Sequence, residues 1–118
     1  MNKILAVIAF LESSGNPAAV NGNAVGLYQI TPVVIADVNR ITRRTYTLAD
    51  RLHPDTAQQI AVAYIRHYLG ENPSVEDAAA LWRCGPTGMK TPTAGQWKYI
   101  VKAVELAATW KPGKTVKA

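Results

Sequence analysis

Over most of the chain, apolar residues recur with the period of amphipathic helices. Leu5, Ile8, Ala9 and Glu12 stand at i, i+3, i+4 and i+7, which predicts a first helix whose apolar row contains a carboxylate. Gly15 and Pro17 stop it. Asn21-Gly22, set between Ala19-Val20 and Ala24-Val25, is a tight-turn signal and predicts a small hairpin. Thr31-Pro32 reads as an N-cap with proline at the first helical position, opening a helix through about Arg43. Residues 44–53 are expected to be loop, closed by Pro54, with Asp55 or Thr56 capping the next helix. That helix carries two apolar rows, Ala57-Ala61-Ile65-Leu69 and Ile60-Tyr64-Tyr68, as a buried central helix would, and ends at Gly70. Ser74-Val75-Glu76-Asp77 resembles a capping box and starts a helix through Trp82. Gly85-Pro86-Thr87-Gly88 and Pro92 mark a loop. A last helix carries Trp97, Val101, Val104 and Ala108 on one face and ends near Trp110, with Tyr68, Trp97 and Trp110 expected in the core. The pattern predicts one mainly α domain over residues 1–110, with a small hairpin, followed by a loose basic tail over 111–118.

Composition narrows the picture without identifying a partner. With 118 residues, 48% hydrophobic and 18% charged, the chain suits one globular domain with a real core. Cys84 stands alone, which excludes an intramolecular disulfide and a cysteine-rich metal site. The net charge of +5 suits an anionic partner, but only Arg40, Arg43 and Arg44 cluster locally. A nucleic-acid-binding domain would want a recognition helix or a face of interleaved aromatic and basic residues, and neither is evident. The apolar run from Ile4 to Leu11 is only eight residues long and leads directly into Glu12-Ser13-Ser14-Gly15, so no export signal or membrane span is expected.

Glu12 is the residue whose position is chemically unusual. A carboxylate in the apolar row is partly desolvated, which favours its neutral form. Its place in the last helical turn, near the negative end of the helix dipole, acts in the same direction. Both effects raise a carboxyl pKa toward the value that a general acid needs. The pattern alone equally allows Glu12 to reach solvent from a helix end.

The surrounding residues add a resemblance. Glu12-Ser13-Ser14-Gly15-Asn16-Pro17-Ala18-Ala19-Val20, then Ala24-Val25-Gly26-Leu27-Tyr28-Gln29-Ile30-Thr31-Pro32, resemble the lytic transglycosylase and goose-type lysozyme superfamily. The likeness continues through residues 35–40, 46–52 and 79–90, covers roughly residues 3–106, and is nearest to the short, phage-type members. It implies a lysozyme-like α+β fold and cleavage of the β-1,4 bond between MurNAc and GlcNAc in peptidoglycan. Glu12 would be the catalytic acid. Ser13, Gly26, Leu27, Tyr28 and Gln29 would bind substrate, joined by Tyr64, Trp82, Arg83 and Gly85, and Tyr99 could add a hydroxyl or a ring face. The resemblance calls for no metal or cofactor, and for action on the glycan strands of the bacterial wall, in the periplasm or as a phage-released or virion-borne enzyme; a monomer is expected.

One segment departs from the family. An aromatic-Asn-(Ala or Gly)-Gly-Pro segment is usual where this chain has Trp82-Arg83-Cys84-Gly85-Pro86. Arginine cannot accept hydrogen bonds as asparagine does, so the substrate contacts of that loop should differ. Most glycosidases use two carboxylates. Asp37 is the one candidate for a second, and the turn Asn21-Gly22-Asn23 offers no acid. A lone glutamate fits a lytic transglycosylase, whose product is a 1,6-anhydro sugar. A hydrolytic lysozyme on the same fold and a weakened wall-binding module are the alternatives.

Overall fold

A computed structural model describes residues 1–113 as a mainly helical domain with one two-stranded hairpin. The order is α1 (Asn2–Ser13), β1 (Val20–Asn21), β2 (Ala24–Val25), α2 (Pro32–Thr42), a 3-10 helix (Leu48–Leu52), α3 (Pro54–Leu69), α4 (Val75–Gly88) and α5 (Ala94–Thr109). The expected tail falls largely outside the described residues.

The core is divided by α1 and α4. On one side Ile4, Leu5 and Ile8 of α1 and Ala78 and Leu81 of α4 pack with Ile35 and Val38 of α2 and with Ala57, Ile60, Ala61, Tyr64 and Ile65 of α3. On the other, Val7 of α1 and Ala79 and Ala80 of α4 pack with Ile100, Ala103, Leu106 and Ala107 of α5. The alanines at this second contact let the α4 and α5 backbones approach closely. Both expected rows of α3 face inward, so α3 is the buried central helix its pattern predicts. Among the described residues no helix is long and apolar enough to cross a membrane.

Four expectations need correction. Residues 48–52 are not loop but a 3-10 helix, and Thr47 and Asp50 form its reciprocal capping box. Neither Asp55 nor Thr56 caps α3: His53 is the N-cap, because Pro54 takes the first helical position, where its missing N–H costs nothing. The chain does not become loop at Gly85. It kinks there, at φ 81°, and Pro86 starts a further helical turn closed by the Met89 N–H on the Gly85 carbonyl at 3.1 Å. Finally, Trp97, Val101, Val104 and Ala108 do share a face of α5, but it is the solvent face. The buried face is Ile100, Ala103, Leu106 and Ala107, whose small alanines fit the close contact with α4 where tryptophan would not. Trp97 is therefore outside the core, whereas Tyr68 packs against the edge of the first cluster.

The hairpin pairs Val20 with Val25 and Asn21 with Ala24, and Gly22 and Asn23 make its two-residue turn. Two strand residues a side cannot hold themselves in water. The Arg51 side chain, nearly buried at 9% exposure, fastens the hairpin to the 3-10 helix. Its Nη1 donates to the Asn23 and Ile30 carbonyls at 2.9 and 3.0 Å, and its Nε to the Leu48 carbonyl at 2.8 Å. Gly26 passes directly beneath the Arg51 carbonyl at φ 88°, and any Cβ there would collide with that oxygen. Gly26→Ala should therefore cost at least about 2 kcal/mol, from left-handed strain plus the displaced Arg51 backbone. A denaturant titration against the parent checks this, and an unchanged midpoint would show that the Gly26–Arg51 approach is slack.

Candidate active site

The site begins with how α1 ends. Ser14 turns left-handed at φ 53°, and the Ser14 and Gly15 N–H groups close back on the Phe10 and Ala9 carbonyls. This leaves Glu12 in the final turn, half-buried, with its side chain directed toward α5. Ser13 fixes the same turn to the chain beyond the hairpin: its hydroxyl donates to the Leu27 carbonyl at 2.6 Å and lies 3.1 Å from the Ala9 carbonyl.

The facing wall is the 19–31 segment, and its polar groups satisfy one another. Gln29 adopts φ 55°, rare for a residue with a side chain, and its amide is largely consumed by the hairpin. Nε2 donates to the Ala19 and Gly26 carbonyls at 3.1 and 3.0 Å, while Oε1 accepts from Asn21 Nδ2 at 2.8 Å. Trp82 of α4 donates its indole N–H to the Tyr28 carbonyl at 3.0 Å and meets the Tyr28 and Tyr64 rings edge-on. Among the described residues no buried side-chain nitrogen or oxygen lacks a hydrogen-bond partner.

Between these walls lies a cavity of about 360 Å³, lined by Leu11, Glu12, Ala24, Gln29, Thr31, Trp82, Arg83 and Tyr99. Among the described residues Glu12 is its single carboxylate. Burial pushes the Glu12 carboxyl above its ordinary pKa, and the Tyr99 hydrogen bond and the Arg83 charge partly oppose that shift. Tyr99 donates its hydroxyl to Glu12 Oε2 at 2.7 Å. Burial and the neighbouring Glu12 carboxyl hold the Tyr99 proton far more tightly than in a free phenol, so Tyr99 is a donor throughout the neutral range. Arg83 is exposed at the rim.

Of the residues singled out by sequence, Glu12, Gln29, Trp82 and Arg83 line the cavity together. Ser13, Gly26, Leu27 and Tyr28 lie behind it: Ser13 and Leu27 bond to each other, Gly26 sits under Arg51, and Tyr28 is buried. Tyr64 is buried in the first core cluster, and Gly85 is the kink of α4. Asp37 lies outside the lining. Its carboxylate binds Arg40 at 2.6 Å and accepts from the Tyr68 hydroxyl. Slight burial would raise its carboxyl, but Tyr68, Arg40 and His67 outweigh that and hold it below the usual range. Thr31, the threonine of the segment that resembles the family's cleft-lining motif, is also in the lining, whereas nothing local in the sequence distinguishes Leu11 and Ala24 as wall residues. A larger cavity, about 650 Å³, opens at the other end of α1 among Met1, Leu5, Tyr46, Gln59 and Arg66. Its one carboxylate, Asp55, is exposed at the start of α3, so it lacks the desolvated acid that makes the smaller cavity chemically distinct.

A model of the family described as "Transglycosylase SLT domain" matches residues 1–99, a span that contains every residue lining the smaller cavity. No curated protein and no solved structure matches the chain.

The buried carboxyl has a thermodynamic consequence. Because the folded state raises the Glu12 pKa, it binds that proton more tightly than the unfolded chain does. The resulting stability is complete below the unfolded carboxyl pKa and is lost as pH rises through the folded one. Glu12→Gln keeps an acceptor for Tyr99 and never ionises. It should match the parent in stability near about pH 4 and exceed it near about pH 7.5. Denaturation midpoints at the two pH values check this, and a difference independent of pH would remove Glu12 titration as its cause.

Proposed function

The chain belongs to the SLT transglycosylase domain family, and from that premise we propose that it is a peptidoglycan lytic transglycosylase with Glu12 as its acid and base. The observation that carries this reading is the half-buried Glu12 carboxyl, held by Tyr99, as the single carboxylate in the cleft.

The chemistry follows from one carboxyl used twice. Protonated Glu12 gives its proton to the glycosidic oxygen between MurNAc and GlcNAc as the bond to the anomeric carbon breaks, while the 2-acetamido group of the substrate stabilises the positive charge at that carbon. Glu12, now a carboxylate, takes the proton of the muramic acid 6-hydroxyl as that oxygen bonds to the anomeric carbon. The product is a 1,6-anhydro sugar, the proton is returned to Glu12, and no water is consumed. Tyr99 stabilises the carboxylate between the two steps. An inverting hydrolase would need a second carboxylate across the bond to activate water. Asp37 is outside the lining and committed to Arg40 and Tyr68, which favours the transglycosylase over the lysozyme. Trp82 and Arg83 offer a ring and a cation to the glycan at the rim. The likeness to short, phage-type members supports a wall-lytic role.

Glu12→Gln should lower wall lysis by about 10²–10⁴-fold, the usual worth of general acid–base catalysis, without unfolding the protein. Lysis at the parent rate would sink the assignment. Mass analysis of the sugars released by the parent should find 1,6-anhydro-muramic ends, lighter by one water than reducing ends. Reducing products, lost on Asp37→Asn, would instead make the enzyme a lysozyme. Arg83→Asn, which restores the usual family residue, should raise turnover or leave it equal, and a large loss would mean that the guanidinium has become a substrate contact.

A further inference from the structure

The apolar row that α5 turns to solvent has no counterpart in the cleft chemistry. Trp97, Val101 and Val104 are 48%, 40% and 43% exposed, and with exposed Ala108 they form one continuous stripe at helical spacing. The helix does not need that stripe for its own packing, since Ile100, Ala103, Leu106 and Ala107 already bury a separate, neighbouring flank. Exposed Lys98 and Lys102 run along the adjoining side, accompanied by Glu105, while exposed Lys90 precedes the helix and Lys111 follows it. The whole chain carries +5.

We propose that this face of α5 docks the protein on an anionic phospholipid surface. An interfacial helix combines an apolar stripe, a tryptophan suited to the headgroup boundary, and lysines whose stems lie along the apolar surface while their ammonium groups reach acidic headgroups. A purely polyanionic partner, such as a nucleic acid, would use the lysines but gain nothing from the exposed Trp97 and valines. A second copy paired through the same stripe would bring two lysines from each chain together against one glutamate from each. The lipid surface uses both features at once.

Docking in this way leaves the candidate active site free. Tyr99, which bonds Glu12, lies roughly 160° around α5 from the stripe at about 100° per residue. The cleft would then face away from the lipid. The docking surface stands independently of the proposed catalysis, because its readout is binding and needs no active Glu12.

The test is cosedimentation of the full chain with vesicles of phosphatidylcholine alone or mixed with phosphatidylglycerol, at low salt. The protein should pellet with the mixed vesicles, stay in solution with phosphatidylcholine, and be released by added salt. Lys98→Glu with Lys102→Glu should reduce partitioning roughly tenfold or more. Trp97→Ala with Val104→Ser should reduce it at least as much, while both double variants keep the parent circular dichroism spectrum and wall-lytic rate. Failure to bind mixed vesicles, equal binding to both vesicle types, or binding unaffected by Trp97→Ala with Val104→Ser would overturn the proposal. A dimer in sedimentation velocity that Val104→Glu dissolves, with no vesicle binding, would assign the face to a second copy and overturn it too. So would tight, salt-sensitive binding to duplex DNA without binding to vesicles.

Discussion

Burying a carboxyl at the carboxyl-terminal end of α1 is the constraint around which the rest of the cleft is arranged. Desolvation and the helix dipole both disfavour charge there, so an ionised Glu12 has to be compensated locally. Tyr99 supplies that compensation from α5, 87 residues away in sequence. The bond has meaning only if α1 and α5 keep a fixed relation. They do so through the second core cluster, where Val7 packs with Ile100, Ala103, Leu106 and Ala107 one to two turns from the acid. The packing that looks merely structural therefore sets the distance on which the Glu12 pKa depends.

The opposite wall solves a different problem. A hairpin with two residues in each strand has too little ladder to stand, yet the cleft needs a firm surface facing Glu12. The segment achieves this by spending its polar groups on itself: Gln29 on Ala19, Gly26 and Asn21, Arg51 on Asn23 and Ile30, and Trp82 on Tyr28. Ser13 then bonds Leu27, so the wall is tethered to the turn that presents Glu12. Such a network is held by the chain's own groups, and a wall fixed in that way would lower the conformational cost of binding. It also redistributes roles: Gln29 is in the lining but holds the hairpin, and the proposed glycan would meet the shape of the wall more than free amides.

Local signals carried most of the fold and pointed to Glu12 in the candidate site. Period and stop signals placed α1, α2 and α3, caps placed the starts of α2 and α4, the end of α5 fell near Trp110 as expected, and an acid in an apolar row marked Glu12. Where the reading failed, competing solutions shared one local pattern. Gly85-Pro86 reads as a break, but a glycine able to kink and a proline suited to a first helical position also let a helix resume. Thr47 and Asp50 carried a capping box that lacked an apolar row to draw notice. The α5 face was ambiguous because the helix has two apolar stripes. Its tryptophan and both of its valines point outward, and only the close α4–α5 contact, a tertiary fact, selects the alanine-containing one. Tyr99 and Arg51 were illegible as partners for the same reason: neither bonds a sequence neighbour whose spacing would reveal it, apart from Arg51 with Leu48.

Arg83 gains significance from this electrostatic balance. In the proposed reaction one carboxyl must first release a proton and then recover one, so neither a very high nor a very low pKa serves both halves. Burial alone would favour the acid and starve the base. Tyr99 corrects this through a short bond that is fixed by the core, whereas Arg83 acts from the exposed rim through charge alone. Its contribution must therefore vary with ionic strength and with whatever occupies the cleft. A bound glycan that displaces water would strengthen the Arg83 field at Glu12, since fewer mobile dipoles and ions screen it. An anionic group of the substrate that paired with the guanidinium would weaken it. An asparagine at this position could do neither. Arg83 is therefore the adjustable part of the balance at Glu12 in the proposed reaction, and Tyr99 the fixed part.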